Sequence, residues 1–258
     1  MSVVVERDGA VAVVRIDRPE RHNALNADVL RRLHAVMTDL PGKARAIVLT
    51  GSGRRAFSAG ADLDELVGLS AADAEPVLRA GQAVLRGIER SPAPVIAAVN
   101  GLALGGGFEL VLACSFAVAS TEAAFALPEP GLGLIPGYGG TQRLARVTGP
   151  AAARHVMLTG HRLDALRAYE LGVVVLPPVH PDALRSLAVA QARKVAGMGP
   201  RAVRAIVDAV DVGLDSPLDD ALALETRLAA DAVGGSESDE GVRAFKEKRR
   251  PCFEAVTP

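Results

Sequence analysis

The sequence predicts an α/β fold in two parts, with strands and helices mixed to about residue 180 and helices alone beyond it. Three observations predict this. Short apolar runs, at 44–50 and 95–100, are closed by glycine or Asn-Gly in the manner of buried strands. Between them lie stretches of helical spacing, such as Leu30, Leu33, Val36, Met37 and Leu40. From Pro181 onward every patterned segment is helical.

The elements follow in order. Residues 3–6 and 11–16 read as strands joined at Asp8-Gly9. A helix over 27–40 stops at Pro41-Gly42, and a buried strand over 44–50 stops at Gly51-Ser52-Gly53. Residues 74–89 read as a helix, and Pro92 and Pro94 break the chain before the strand at 95–100. A glycine loop leads into a helix over 107–113, followed by a strand at 115–119. Helices are expected at 138–147 and 151–158, separated by Gly149-Pro150, and a strand at 173–176 ending at Pro177-Pro178. The remaining helices are expected at 182–196, 201–212, 218–233 and 238–249. We therefore divide the chain into a mixed part, 1–180, and a helical part, 181–258.

Composition narrows the function. The chain is 49% hydrophobic but only 3% aromatic, with no tryptophan, so its core must be aliphatic and stacking platforms for nucleic acid are not expected. A formal net charge of −1 supplies no field toward nucleic acid or a membrane surface. Cys114 and Cys252 form no CxxC pair, and the five histidines show no HExxH spacing, so neither a disulfide framework nor a metal is expected. The N-terminus shows no basic segment before a long apolar run, and no apolar stretch suits a transmembrane helix; the expected setting is the cytoplasm.

Two glutamates carry the chemistry. Glu109 follows Gly105-Gly106-Gly107 inside an apolar run, and Glu129 stands between Pro128 and Pro130 before a second glycine-rich loop, 131–140. A carboxylate in an apolar run needs a partner or a task, because burying it alone is costly. Glycines leave backbone N–H groups open to a substrate, and the start of a helix favours a developing negative charge. Spacing alone does not bring Glu109 and Glu129 together, since twenty residues separate them. The motif Gly51-Ser52-Gly53-Arg54-Arg55-Ala56 fits a loose dinucleotide pattern, but no clean helix begins there, and a simple turn is the better reading. Ser58 is not in a GxSxG elbow, so a serine hydrolase has no signature here.

In order along the chain stand Arg18-Pro19-Glu20-Arg21-His22-Asn23-Ala24-Leu25-Asn26, Ala56-Phe57-Ser58-Ala59-Gly60-Ala61-Asp62-Leu63, Asn100-Gly101 with Gly105-Gly106-Gly107-Phe108-Glu109, and Pro136-Gly137-Tyr138-Gly139-Gly140-Thr141-Gln142-Arg143-Leu144. Together with Phe245-Lys246-Glu247-Lys248-Arg249-Arg250-Pro251, they closely resemble the crotonase, or enoyl-CoA hydratase/isomerase, superfamily over nearly the whole chain. The resemblance implies a crotonase-like spiral of ββα units with a helical C-terminal trimerisation region, and homotrimers that often pair into hexamers. It implies an acyl-CoA thioester substrate and no separate cofactor, coenzyme A being part of the substrate.

By motif position the resemblance assigns the oxyanion hole to the N–H groups of Ala61 and Gly106. It also places Ala59, Ala61, Asp62, Leu63 and Asp64 along the coenzyme A site, with the Ala59 carbonyl near the adenine and the basic last helix approaching the phosphates. Glutamate at both motif positions, Glu109 and Glu129, favours a hydratase acting on trans-2-enoyl-CoA in fatty-acid or acyl-CoA degradation. The family mechanism would have Glu109 activate water and Glu129 protonate C2. The rival readings are a Δ3,Δ2-enoyl-CoA isomerase and a noncatalytic acyl-CoA-binding protein. Tyr138 stands where relatives often carry a small residue, and this leaves the acyl chain length open.

Overall fold

The structure, a computed structural model, describes residues 2–253; Met1 and 254–258, the outermost residues of the two expected parts, lie outside the described residues. The chain divides into two compact units between Ala192 and Arg193.

The first unit runs β1 (Val3–Asp8), β2 (Val11–Ile16), α1 (Ala27–Asp39), β3 (Ala46–Gly51), β4 (Ala56–Ser58) and α2 (Ala71–Glu89). It continues with β5 (Val95–Val99), β6 (Leu102–Leu104), α3 (Gly106–Leu112), β7 (Phe116–Ala119) and β8 (Ala124–Ala126). Then come α4 (Gly140–Thr148), α5 (Pro150–Thr159), β9 (Leu163–Asp164), α6 (Ala165–Glu170) and α7 (Pro181–Ala196), which carries the chain across the division. One sheet has the order β1-β2-β3-β5-β7, antiparallel only at β1. A smaller sheet has the order β4-β6-β8-β9, antiparallel only at β9.

The connection pattern explains the α/β class expected from the sequence. β3 and β4 precede α2, β5 and β6 precede α3, and β7 and β8 precede α4. Each turn thus places one strand in the large sheet, a short one in the small sheet, and then a helix. This is a spiral of ββα units. Every residue of β5 is buried, as a parallel strand covered on both faces requires. The core is aliphatic apart from Phe57, Phe108, Phe125 and Tyr138.

Three expected elements of this unit differ, and in the second unit the helix expected over 238–249 spans Ser236–Lys246. Residues 173–176 do not form a strand: Val175 N–H reaches the Ala117 carbonyl, but only Val179 bridges, to Ser120, so the segment runs beside β7 without a ladder. The helix expected from 138 starts at Gly140, because the Tyr138 N–H is turned inward to Glu109. α2 starts earlier than expected, at Ala71, where the Ser70 side chain accepts from Asp73 N–H, and it contains Pro76. The short strands β4, β6, β8 and β9 and helix α6 are additions, each too short to show a period in the sequence.

The segment around Asn23 fastens the first turn to the small sheet. His22 and Asn23 take left-handed backbone, with φ of 50° and 58°. The buried Asn23 side chain accepts from Arg18 N–H at 3.0 Å and donates to the Ser52 and Ala56 carbonyls at 3.0 and 2.8 Å. Beside it, Gly51 lies so close to β4 that a side chain there would meet the Phe57 carbonyl at 2.3 Å. The Gly51–Gly53 turn thus leads into a strand, not into a nucleotide-binding helix.

The second unit contains α8 (Pro200–Gly213), α9 (Leu218–Val233) and α10 (Ser236–Lys246), and among the described residues it holds no strand. The Glu237 carboxylate closes the free start of α8 by accepting from Arg201 N–H at 3.0 Å and Ala202 N–H at 3.4 Å. Glu240 accepts from Arg243 at 2.6 Å, from Arg249 at 2.6 and 3.0 Å, and from Cys252 N–H at 2.8 Å.

Asn23→Ala removes a buried donor and acceptor and takes their side-chain partner from the Ser52 carbonyl and the Arg18 N–H, while the Ala56 carbonyl keeps the Asn100 amide at 3.1 Å. It is expected to cost about 3 kcal/mol in urea unfolding, whereas replacement of an exposed residue such as Glu20 should cost under about 0.5 kcal/mol.

Candidate active site

Glu109 lies on α3 and is 1% exposed. Its Oε1 accepts two backbone hydrogen bonds from the loop before α4: Tyr138 N–H at 2.8 Å and Gly140 N–H at 2.7 Å. The loop closes directly on the carboxylate, since a side-chain carbon on Gly140 would stand 2.9 Å from Glu109 Cγ. Burial pushes the Glu109 pKa up to about 7, against the pull of those two N–H groups; the Glu129 charge adds to the rise and Arg143 opposes it.

Glu129 begins a short 3-10 turn, Glu129–Leu132, which follows β8 after Leu127 and Pro128. Its Oε2 is buried with no hydrogen-bond partner among the described residues, and burial raises its pKa as well. Its other oxygen faces Gly105, where a side-chain carbon would meet Oε1 at 2.8 Å. Gly105 also has φ of +50° and ψ of −126°, a backbone conformation open essentially to glycine. The fold therefore brings the two glutamates into each other's field on either side of the Gly105–Gly107 turn, although their spacing in sequence does not.

The third component is backbone. Gly106 is the first residue of α3, and neither its N–H nor that of Ala61 donates to an acceptor among the described residues. The two stretches lie against each other: a carbon on Gly60 would come within 3.0 Å of Gly106 N, and one on Gly106 within 3.3 Å of Ala61 N. Residues 59–62 are fixed by the Asn23 segment. Ala59 N–H donates to the His22 carbonyl at 2.9 Å, Leu25 N–H to that of Gly60 at 2.8 Å, and Asp62 N–H to that of Leu25 at 3.1 Å. Arg18 pairs with Asp62 at 3.3 Å. Leu63 and Asp64 lie further out, exposed on the turn Leu63–Glu65, where Arg21 approaches Asp64 at 3.9 Å.

The model for the enoyl-CoA hydratase/isomerase family matches residues 6–256. The chain belongs to that family. It is 37% identical to the short-chain-enoyl-CoA hydratase of Clostridium acetobutylicum over 96% of each chain. It is 38% identical to the crotonyl-CoA hydratase of Syntrophomonas wolfei over 98% of this chain and 97% of that one. The crystal structure of an enoyl-CoA hydratase from Bacillus anthracis superposes with a TM-score of 0.94, at 36% identity, covering 98% of this chain and 99% of that one. The protein is thus an enzyme of the enoyl-CoA hydratase/isomerase family with the crotonase fold.

The sequence marked Tyr138 only as an unusual loop residue and gave Arg143 no role. Tyr138 is 3% exposed, and its ring fills the space beside Gly81 of α2 and Gly106 of α3. Side-chain carbons on those glycines would stand 2.2 and 3.0 Å from it. Burial pushes its phenol up to about 12, so it stays neutral. Arg143 lies on α4 and donates to the Tyr138 carbonyl at 2.8 Å. The sequence signal for Arg143 was only its place in the motif Pro136–Leu144, and that for Tyr138 was its size within the second glycine loop. Among the described residues no cluster of histidine, cysteine, aspartate or glutamate could hold a metal ion, and no helix is long and apolar enough to cross a membrane.

The raised Glu109 pKa makes folding pH-dependent. The folded state keeps this proton from the ordinary 4.5 up to about 7, so stability from this group is present below 4.5 and is lost as pH rises through 7. Glu109→Gln removes that loss. Its stability relative to the parent, from urea unfolding at fixed protein concentration, should rise between pH 5 and pH 8 by an amount approaching 3 kcal/mol, at about 1.4 kcal/mol per pKa unit.

Proposed function

We propose that the protein hydrates trans-2-enoyl-CoA thioesters to 3-hydroxyacyl-CoA. The observation that carries this reading is the glutamate pair at the Gly105–Gly107 turn, Glu109 buried and Glu129 half-buried with a buried Oε2, both with raised pKa values. Hydration adds hydroxide at C3 and a proton at C2. One carboxylate must therefore accept a proton from water while another carboxyl donates one. Two carboxyls whose pKa values are lifted toward neutrality suit that exchange, and their mutual repulsion favours one protonated and one ionised.

Glu109 takes the base role. The loop N–H groups hold its Oε1, which leaves Oε2 for the attacking water. Glu129 takes the acid role through its unpartnered Oε2. The N–H groups of Ala61 and Gly106 receive the thioester oxygen as negative charge develops there. One such donor is worth about 3 kcal/mol of transition-state stabilisation. In this reading Ala59, Ala61, Asp62, Leu63 and Asp64 border the coenzyme A moiety, and the reaction needs no further cofactor. The names of the two hydratase relatives point to short acyl chains.

We also propose a homotrimer or a pair of trimers as the working assembly. The support is the apolar surface of the helical unit, where Ile206, Leu214, Leu218 and Phe245 are 65%, 67%, 72% and 84% exposed.

Purified protein should bleach the enoyl-thioester absorbance of crotonyl-CoA and yield a product heavier by one water. Glu109→Gln and Glu129→Gln should each lower kcat by about a hundredfold or more, the scale of general acid–base catalysis. Parent kcat/KM should fall as pH drops below about 7, because Glu109 then loses its basic form. A product of unchanged mass with a moved double bond would favour an isomerase, and near-normal rates in both variants would remove the acid–base assignment. Sedimentation should give three or six times the chain mass of 26.7 kDa, and a monomer would reject the assembly.

A further inference from the structure

The loop that grips Glu109 is itself held by a charged clamp on its far side. Arg143, on α4, donates through Nη1 to the Tyr138 carbonyl at 2.8 Å. Its other donors form a two-pronged pair with Glu89 at the end of α2, Nε to Oε1 at 3.1 Å and Nη2 to Oε2 at 2.9 Å. Arg86, one turn earlier on α2, reaches the same carboxylate at 2.6 Å. Both members of the Arg143–Glu89 pair are mostly shielded, with side chains 15% and 21% exposed. Gly139, at φ of +107°, makes room for the guanidinium: a side-chain carbon there would stand 2.3 Å from Arg143 Nη1. One residue, Tyr138, thus separates the clamp from the carboxylate. The Tyr138 carbonyl is held by Arg143, and the Tyr138 N–H is given to Glu109.

We propose that Arg143 is a positioning residue for Glu109: seated by Glu89, it fixes the Tyr138–Gly140 turn whose two N–H groups hold Oε1. Lysine cannot replace it fully, because only a guanidinium offers the planar fork that meets a carboxylate with two donors while a third reaches a carbonyl. The charge has a second effect. Of the groups facing Glu109, Glu129 opposes its ionisation and Arg143 favours it, while the Tyr138 phenol, pushed up to about 12, remains neutral. Glu89 is held ionised by Arg143 and Arg86. Loss of Arg143 therefore removes a nearby cation and loosens two N–H donors at once, and both changes favour the protonated form of Glu109.

The catalytic consequence rests on the hydratase reading, but the positioning itself is measurable without turnover. The Glu109 carboxyl is titrated by infrared difference spectroscopy, with Glu109→Gln identifying its band. Arg143→Met should move the titration to higher pH by about one unit, the lower end of what a neighbouring cation supplies, and Arg143→Lys by less. On crotonyl-CoA at neutral pH, Arg143→Met should lower kcat by about tenfold with KM changed less than about threefold, since an interaction that serves the transition state appears in kcat. Glu89→Gln should lower kcat in the same direction. If folded Arg143→Met titrates as the parent does, or if its loss lies in KM alone, the proposal is overturned. If Arg143→Met does not fold, Arg143→Lys decides: an upward shift supports the proposal, and a titration identical to the parent's overturns it. A parent enzyme that titrates as expected yet does not hydrate crotonyl-CoA would reject the proposed reaction and leave the positioning role standing.

Discussion

The structure around the site depends on one buried carboxylate that must find donors. Glu109 sits in an apolar helix where an unpartnered charge would be prohibitive. Two loop N–H groups on a single oxygen meet part of that need, and burial still lifts its pKa to about 7. The same compromise leaves the group able to titrate near neutrality and makes the loop obligatory. A carboxylate satisfied by an arginine would be locked in its ionised form, as Glu240 is in the helical unit, where Arg243 and Arg249 hold its pKa far below the ordinary value. The cation near Glu109 acts instead through an intervening residue, Tyr138.

Backbone proximity is the second constraint. The turn at Gly105, the chain at Gly60 and the loop at Gly140 each approach a neighbour closely enough that a side-chain carbon would be 3.0 Å or less from Glu129 Oε1, the Leu104 carbonyl or Glu109 Cγ. Side chains at these points would separate the two glutamates from the open N–H groups. Fixing such backbone requires anchors elsewhere. The Asn23 segment supplies them for residues 59–62, and the Arg143–Glu89 pair supplies them for residues 138–140. Motif positions remote from the reacting atoms thus serve to hold backbone.

Much of this was legible in the chain. The five strands of the large sheet came from short apolar runs and a hairpin, apart from shifts of one or two residues at their ends. The small sheet was not, because three-residue strands such as Ala56–Ser58 carry no period and are defined by pairing across the spiral. The segment at 173–176 has the composition of a strand, yet it meets β7 only at isolated hydrogen bonds, and local propensity does not reveal whether a partner edge is in register. Tyr138 was legible as an unusual residue, but not as one buried between Gly81 and Gly106.

The sequence by itself determined the fold class, the family and the two chemically loaded glutamates. Those rest on side-chain type and order, which folding does not change. Tertiary structure decided that Glu109 and Glu129, twenty residues apart, feel each other's charge, and that a loop thirty residues downstream satisfies one of them. It also decided that Arg143 acts on that loop from behind, with its partner more than fifty residues earlier. Such properties depend on distance and desolvation, and only the packed spiral supplies both.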